Sequence, residues 1–130
     1  MIVLDTHIWL WWVNQDEHLL KPTWRELIET SENIGISAIS CFEVAWLERR
    51  QRISLPCPRA EWFHKAIAGS GIELLGVSPD IACRAVDLAE HHSDPQDRII
   101  IATTLALDGK LISADSKFPL YAELAGRLVD

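Results

Sequence analysis

The chain has 130 residues, which fits one domain, and at this size about two-thirds of the unfolded chain's surface can be buried. Hydrophobic residues make up 48% of the chain and charged residues 24%, the balance of an ordinary globular protein. The formal net charge of −7 argues against nonspecific binding to duplex nucleic acid, because Lys and Arg normally make phosphate contacts, but it leaves open phosphate contact through a bound cation.

The first predicted element is a short buried strand that feeds a helix. Residues 2–4 are an apolar run that stops at Asp5, and residues 6–13 follow as a helix. A second helix is expected to begin at Pro22, because proline is well suited to the first turn of a helix. The N-terminal part of the chain therefore predicts one strand and two helices.

A second strand and helix are expected over residues 34–50. Residues 34–36 form the strand, and Ser37 closes it. Ser40 followed three residues later by Glu43 is the pattern of a capping box, which predicts a helix from about residue 41 to residue 50.

The second half of the chain continues the alternation of strands and helices. Strands are expected at residues 72–77, 111–112 and 128–129, and helices are expected to carry Trp62 and to begin at residues 78–80 and 94–97. Short apolar strands separated by helices imply right-handed crossovers and a parallel sheet covered on both faces. The predicted fold class is α/β, a three-layer α/β/α domain with a short-stranded parallel sheet.

The cysteines and the N-terminus predict the compartment. Three cysteines, with no CxxC spacing, argue against a disulfide framework or a zinc site and indicate a reducing compartment. Residues 1–5 place no basic segment ahead of an apolar stretch, so we expect no signal peptide. The longest apolar run, residues 8–13, is too short to span a bilayer. We expect a cytoplasmic protein with a single domain over residues 1–130.

Four acidic residues are expected at one edge of the predicted sheet. Asp5 directly follows the first strand, and Asp115 comes just after the fourth. Glu43 lies in the first turn of the predicted helix after strand two, and Asp97 lies in the first turn of the helix before strand four. Ligand sites of open parallel sheets lie beyond the carboxyl ends of the strands. These acids are therefore candidate site residues.

Each acid also has a simpler structural explanation. Asp5 is a candidate helix N-cap, Glu43 the partner of a capping box, and Asp97 favourable to a helix dipole. Asp115 can close a turn. None of these explanations predicts that the four acids converge.

Converging carboxylates need protons or a cation. Two carboxylates about 4 Å apart repel by roughly 4 kcal/mol at an effective dielectric of about 20. Such a cluster takes up protons or binds a cation. Oxygen ligands without His or Cys at ligand spacing favour Mg²⁺ or Mn²⁺ over zinc, and such an ion suits phosphoryl chemistry.

Four short motifs resemble one known family. Leu-Asp-Thr-His at 4–7, Ser-Cys-Phe-Glu at 40–43, His-His-Ser-Asp-Pro-Gln-Asp-Arg at 91–98 and Ser-Ala-Asp at 113–115 are similar to the motifs of PIN-domain ribonucleases. More narrowly, the chain resembles the toxin half of VapBC-type toxin–antitoxin pairs, in order and spacing along nearly its whole length.

The resemblance implies a magnesium-dependent endoribonuclease that cuts structured cellular RNA, usually tRNA or rRNA. It also implies a homodimer inhibited by a cognate antitoxin protein. By position, the family's acidic residues correspond to Asp5, Glu43, Asp97 and Asp115, all four as catalytic and metal-binding residues. Thr6 matches the polar residue beside the first acid. The match departs at position 96, where a glutamine stands in place of the large apolar residue of many relatives.

Other residues near these motifs have competing interpretations. Asp94 is either a fifth ligand or, with Pro95 behind it, an N-cap. Arg98 either pairs with Asp94 at i,i+4 or contacts the scissile phosphate. We interpret His7 as a hydrogen-bonded structural residue. No role is assigned to the two histidines at 91–92.

The basic and aromatic residues form two further groups. Arg49, Arg50 and Arg52 are the only basic cluster, and they either form a solvated helix end, with a Glu48–Arg52 pair, or guide RNA. Most tryptophan surface is expected in the core, but the three tryptophans of residues 9–12 cannot all face one side of a helix.

Four other functions were compared with this prediction. A haloacid-dehalogenase phosphatase needs a second carboxylate two residues after the first, where this chain has His7. A receiver domain needs an Asp at the end of its third strand, but the predicted third strand here ends near Val77 and Ser78. Neither class therefore fits the sequence. A nuclease that cuts DNA stays open, because phosphoryl chemistry alone does not select the sugar. The remaining alternative is a catalytically silent PIN-like scaffold that binds protein or RNA. The presence of all four acids argues against it.

Overall fold

One parallel sheet forms the centre of the molecule. The computed structural model describes residues 1–91 and 93–130, so His92 lies outside the described residues. Five parallel strands lie in the order β3-β2-β1-β4-β5. The strands are β1 (Ile2–Leu4), β2 (Ile34–Ser37), β3 (Glu73–Leu75), β4 (Lys110–Ile112) and β5 (Leu128–Val129).

Helices connect the strands of the sheet. Those of the described residues are α1 (Thr6–Val13), α2 (Pro22–Thr30), α3 (Ala38–Arg49), α4 (Arg59–Ala66), α5 (Pro79–Asp87) and α6 (Pro95–Ala106). Short 3₁₀ turns lie at Ala68–Ser70, Phe118–Leu120 and Ala122–Leu124. Within the described part of the chain, no helix is both long enough and apolar enough to cross a membrane.

Each face of the sheet packs into its own hydrophobic core. Val3 and Leu111, on neighbouring strands, pack with Ile100 and Ile101 of α6. Their neighbours Leu4 and Ile112 point to the opposite face and pack with side chains of α1, α2, α3 and α4. This alternation is the geometry of a strand whose successive side chains face opposite ways. It confirms the predicted three-layer α/β/α architecture.

The order of the strands reverses at β1. The chain runs from β1 to β2 and β3 on one side of the sheet, and β4 and β5 lie on the other side. Leu4 is paired with Ile112, and the amide of Asp5 continues the ladder with a 3.0 Å hydrogen bond to the Ile112 carbonyl. A ligand crevice is expected where neighbouring strands diverge in this way, at the carboxyl ends of β1 and β4.

The predicted capping box is wrong. The helix α3 begins at Ala38, and its N-cap is Ser37, whose hydroxyl accepts a 3.3 Å hydrogen bond from the Ile39 amide. Ser37 directly ends the strand, so a capping side chain is available three residues earlier than predicted. Ser40 and Glu43 instead lie inside the helix, on the same side one turn apart.

The third strand is shorter than predicted. It was expected over residues 72–77 but covers Glu73–Leu75. It is an edge strand that pairs with β2 alone, and the last pair joins Ser37 to Leu75. Since Ser37 ends β2, residues 76–77 have no strand beside them to pair with.

Candidate active site

Asp5, at the end of β1, is held by hydrogen bonds from the start of α1 and from the residue that follows β4. Its carboxylate is 7% exposed. Oδ1 accepts a 2.8 Å hydrogen bond from the Thr6 amide, which makes Asp5 the N-cap of α1 as the simpler explanation predicted. Oδ2 accepts a 2.7 Å hydrogen bond from the Ser113 hydroxyl at the end of β4. Asp5 therefore caps a helix and also faces the crevice between β1 and β4.

Ser113 connects Asp5 to Asp115. The Ser113 oxygen that donates to Asp5 also accepts a 3.0 Å hydrogen bond from the Asp115 amide. The Asp115 carboxylate accepts a 2.8 Å hydrogen bond from the Lys117 amide, so Asp115 also closes a turn, as predicted. One serine hydroxyl therefore fixes the spacing between two of the four acids.

Thr6 connects Glu43 to the same point. Its hydroxyl is buried, donates a 2.7 Å hydrogen bond to Glu43 Oε1 and lies 2.9 Å from Ser40 Oγ. Ser40 and Glu43 reach it from α3, because they share one side of that helix. Thr6 therefore connects to Glu43 on α3, and its neighbour Asp5 connects through Ser113 to Asp115 after β4.

The N-terminus of α6 contributes the last acid. The Asp94 carboxylate accepts hydrogen bonds from the amides of Gln96, at 2.9 Å, and Asp97, at 3.4 Å. This confirms Asp94 as an N-cap followed by proline at the first helical position. Asp97 lies in the first turn of α6, as predicted.

Asp97 lies within electrostatic range of the other three acids. Burial, together with the charges of Asp5, Asp94, Asp115 and Glu43, raises the pKa of Asp97 to about 8. Burial also raises the pKa of Glu43, against the hydrogen bond from Thr6. The same cause raises the pKa of Asp5, against hydrogen bonds from Ser113 and Thr6. Repulsion of this kind favours a proton or a cation at the cluster.

The donor atoms fit one class of metal ion. Within residues 1–91 and 93–130, no three His, Cys, Asp or Glu side chains have an arrangement that would by itself hold a metal ion. A closed site such as that of structural zinc is therefore absent from these residues. Mg²⁺ needs less, because it keeps several waters and binds through one or two carboxylates. The carboxylate oxygens around Asp97 fit a hydrated Mg²⁺.

Comparison with known proteins identifies the family. A model of the PIN domain family matches residues 2–124. The chain therefore belongs to the PIN domain family. Ribonuclease VapC22 of Mycobacterium tuberculosis is 31% identical over 117 residues, which cover 89% of this chain and 88% of that protein.

Solved structures share the PIN domain fold. VapBC2 of Rickettsia felis, bound to a DNA fragment from its promoter, matches with a TM-score of 0.64 and 18% identity over 99% of this chain and 98% of that one. A toxin–antitoxin complex from Klebsiella pneumoniae matches with a TM-score of 0.63 and 21% identity, over 100% of this chain and 97% of that one. At these identities the likeness shows the fold alone.

Neither interpretation of Arg98 in this PIN domain is correct. Its guanidinium donates to the carbonyls at the end of α5: those of Ala85, Val86, Leu88 and Ala89, at 2.6–3.1 Å. The last carbonyls of a helix have no intrahelical partner and carry partial negative charge, which attracts a cation. Arg98 therefore neither pairs with Asp94 nor is free to contact a phosphate.

Two other predictions about charged residues are wrong. The Glu48–Arg52 pair does not form, because α3 ends at Arg49 and Arg52 is not on the helix. Glu48 pairs instead with Arg59, at 2.8 Å. His7 is exposed, with its ring 6.1 Å from that of Trp11, and is not a hydrogen-bonded structural residue.

The sequence analysis missed three polar residues of the PIN domain site. Ser113 and Ser40 hold the acids in place, whereas the sequence predicted no role for Ser113 and a helix-capping role for Ser40. Lys117 lines a cleft of about 540 Å³ together with Asp94, Asp97 and Asp115. Its position two residues after Asp115 was the available signal.

Proposed function

We propose that this PIN domain is a magnesium-dependent endoribonuclease and the toxin of a VapBC-type toxin–antitoxin pair. The observation that carries the proposal is the chain of hydrogen bonds from Glu43 through Thr6, Asp5 and Ser113 to Asp115. These contacts hold three acids around the crevice where β1 and β4 end, and Asp97 lies within their electrostatic range.

The acids are proposed to hold the metal ion and position the reaction. Asp5, Glu43, Asp97 and Asp115 are the residues that would bind Mg²⁺, or Mn²⁺ in its place, directly or through its waters. When bound, the ion activates a water and stabilises the charge that develops on the phosphate. In the metal-free protein, Asp97 holds a proton near neutral pH, because its pKa is raised to about 8. Metal binding must displace that proton.

The proposed partners are an RNA substrate, an antitoxin and a second copy of the chain. Support comes from the relative named a ribonuclease and from neighbours that are toxin–antitoxin complexes. We propose that the substrate is structured cellular RNA, such as tRNA or rRNA. The antitoxin is expected to carry a basic residue that reaches the acidic pocket, where it would replace the charge of the metal ion.

Cleavage of total cellular RNA tests the proposal. The purified protein is incubated with total RNA in Mg²⁺ or in EDTA, and the new RNA ends are mapped. We expect cuts at few positions, in Mg²⁺ only, and none with Asp5→Asn, which removes a charge and almost no volume. The asparagine oxygen can still cap α1, so the fold is retained.

Two results would contradict the proposal. Full activity of Asp5→Asn would remove Asp5 from the site. A folded protein that binds RNA or an antitoxin but cuts nothing in Mg²⁺ or Mn²⁺ would support the catalytically silent scaffold instead. A single-stranded DNA of the same sequence as the cleaved RNA is the control for the choice of sugar.

A further inference from the structure

Two aromatic side chains of α3 are exposed without a structural reason. Phe42 is 54% exposed and Trp46 is 44% exposed, whereas every other Phe, Trp or Tyr side chain is buried or half-buried. The rings of Phe42 and Trp46 lie nearly parallel, with an interplanar angle of 13° and centroids 6.0 Å apart. The Arg50 guanidinium lies over the Trp46 ring, 4.3 Å from its centroid. We call Phe42, Trp46 and Arg50 the α3 strip.

The α3 strip lies on the helix that carries Glu43. Phe42 directly precedes Glu43, which is hydrogen bonded to Thr6, and Trp46 lies one turn further along α3. At 1.5 Å per residue, Arg50 is about 10 Å along the helix axis from Glu43. The strip and Glu43 therefore lie within about two turns of each other on one helix.

The strip ends at the basic cluster formed by Arg49, Arg50 and Arg52. Arg49, Arg50 and Arg52 are exposed, and none of them forms an ion pair within residues 1–91 and 93–130. The nearby Arg59, by contrast, is paired with Glu48. The chain as a whole carries a formal charge of −7. Three arginines, without an ion pair in the described part of the chain and with one of them over an exposed ring, are complementary to a polyanion that also carries planar rings, such as a nucleic acid strand.

We infer that the α3 strip binds an unpaired stretch of the RNA substrate, with bases stacked on Phe42 and Trp46 and phosphates facing Arg49, Arg50 and Arg52. This inference rests on the proposed function for the identity of the polyanion. Aromatic and guanidinium faces stack on any base, so the strip selects for single strands more than for sequence. It holds the unpaired segment on the same helix as Glu43.

The chemistry of the strip favours RNA over a protein partner. Aromatic residues and arginine are common at protein interfaces as well, but three arginines without an ion-pair partner among the described residues would have to be desolvated in a protein interface. A nucleic acid strand offers both a ring to stack and a phosphate to pair with the same arginine.

Binding in the absence of metal tests the inference. The probe is a short fluorescein-labelled single-stranded RNA in EDTA at low salt, and its anisotropy gives the Kd without cleavage. We expect Trp46→Ala to raise the Kd at least about fivefold and Trp46→Phe to retain most of the affinity, because stacking on one ring is lost only in the first variant. Arg50→Gln should reduce the slope of log K against log salt by about 0.7, the contribution of one phosphate contact on a single strand.

A matched control keeps the result specific. Leu120 is also exposed but lies on a 3₁₀ turn away from α3, so Leu120→Ala should leave the Kd unchanged. Circular dichroism checks that each variant is folded. If Trp46→Ala unfolds, Arg50→Gln alone decides, because Arg50 is an exposed residue at the helix end.

Three results would overturn the inference. The first is an unchanged Kd in Trp46→Ala with an unchanged salt slope in Arg50→Gln, and the second is an equal loss in Leu120→Ala. The third is an unchanged Kd together with a new oligomeric state by light scattering, which would make the strip a protein interface. Because the assay needs no cleavage, its outcome is separate from that of the Asp5→Asn test.

Discussion

The hydroxyl of Ser113 donates a 2.7 Å hydrogen bond to the carboxylate of Asp5, 108 positions away in the sequence. The two residues follow β4 and β1, which are neighbours in the sheet. The bond satisfies one oxygen of a buried carboxylate and lowers the pKa of Asp5 against the effect of burial. Ser113 is therefore a positioning residue for the proposed metal site.

Replacing Ser113 by alanine should reduce cleavage and shift its pH dependence. The loss leaves Asp5 Oδ2 without its donor, so the pKa of Asp5 rises further and activity moves to higher pH. The hydrogen bond to a charged group contributes roughly 1.5–3 kcal/mol to stability, and the melting temperature should fall accordingly. The measurement is a pH profile of cleavage with a thermal melt. Ser116→Ala, at an exposed position two residues after Ala114, is the control. An unshifted pH profile would leave Ser113 with a structural role only.

Stability of the metal-free protein should fall as the pH rises. The pKa of Asp97 is about 8 in the folded protein and near 3.8 in the unfolded chain, so the folded state binds more protons between these values. Stability from this group is full below the unfolded pKa and is lost as the pH rises toward about 8. Asp97→Asn should flatten the decline. Thermal melts in EDTA across this range measure it, with exposed Asp87→Asn as the control. Parallel curves for the wild type and Asp97→Asn would contradict the raised pKa.

Mg²⁺ should stabilise the protein through the same acid. At one hundred times its dissociation constant, a ligand that binds only the folded state adds about 2.7 kcal/mol to the free energy of unfolding. Asp97→Asn should gain clearly less from the same concentration, and the wild type should gain more at higher pH because Mg²⁺ competes with the proton on Asp97. Melts with millimolar Mg²⁺ and with EDTA make the comparison. A wild-type melting temperature that ignores Mg²⁺ would mean that the acids do not bind the ion.

Thr6→Val should impair cleavage more than it impairs folding. Valine keeps the volume of threonine but removes the donor to Glu43, so the Glu43 side chain loses the bond that fixes its position. Leaving buried polar groups without a partner costs about 1–3 kcal/mol. Thr6→Ser retains the hydroxyl and should restore most of the activity. The measurement is the cleavage rate of folded protein, and equal rates in the valine and serine variants would contradict the role of the hydroxyl.

Arg98→Ala should lower stability and leave the cleavage rate of the folded protein unchanged. Its guanidinium holds the carbonyl end of α5 through four hydrogen bonds, so it is not available to the substrate. A hydrogen bond from a charged group contributes roughly 1.5–3 kcal/mol to stability. The net loss in the variant is smaller than the sum of four such bonds, because water can hydrogen bond to the freed carbonyls. Thermal melts and single-turnover rates separate the two effects. A large loss of rate with no change in melting temperature would restore the phosphate-contact hypothesis.

The sequence was enough to predict the layers of the fold and the segments that form it. Buried strands of a parallel sheet are continuous apolar runs, so residues 2–4 and 111–112 were recognisable, and the two-residue strand at 128–129 was found. The start of α3 and the end of β3 were wrong, because both depend on what lies beside the segment. Ser37 can cap because it ends a strand, and β3 stops where its neighbour stops.

The site was predictable as a set of acids but not as a set of contacts. Position at the carboxyl ends of strands pointed to Asp5 and Asp115. The hydrogen bonds that join the acids involve Ser113, for which the sequence predicted no role, and Ser40, whose spacing to Glu43 predicted a helix cap instead. For Arg98 the sequence predicted a contact that does not form. The i,i+4 spacing suggested a pair with Asp94, whereas the guanidinium binds several carbonyls at the end of α5.

The sharing of the site between distant segments affects when the chain could become active. Asp5, Glu43, Asp97 and Asp115 belong to segments that meet only after β1 has paired with both β2 and β4. A nascent chain would hold all four acids only after β4 and Asp115 had emerged from the ribosome. Under the proposed function, a growing chain would be unable to cut RNA during most of its synthesis, and the same delay would leave time for an inhibitor translated alongside it to be present when the last strands dock.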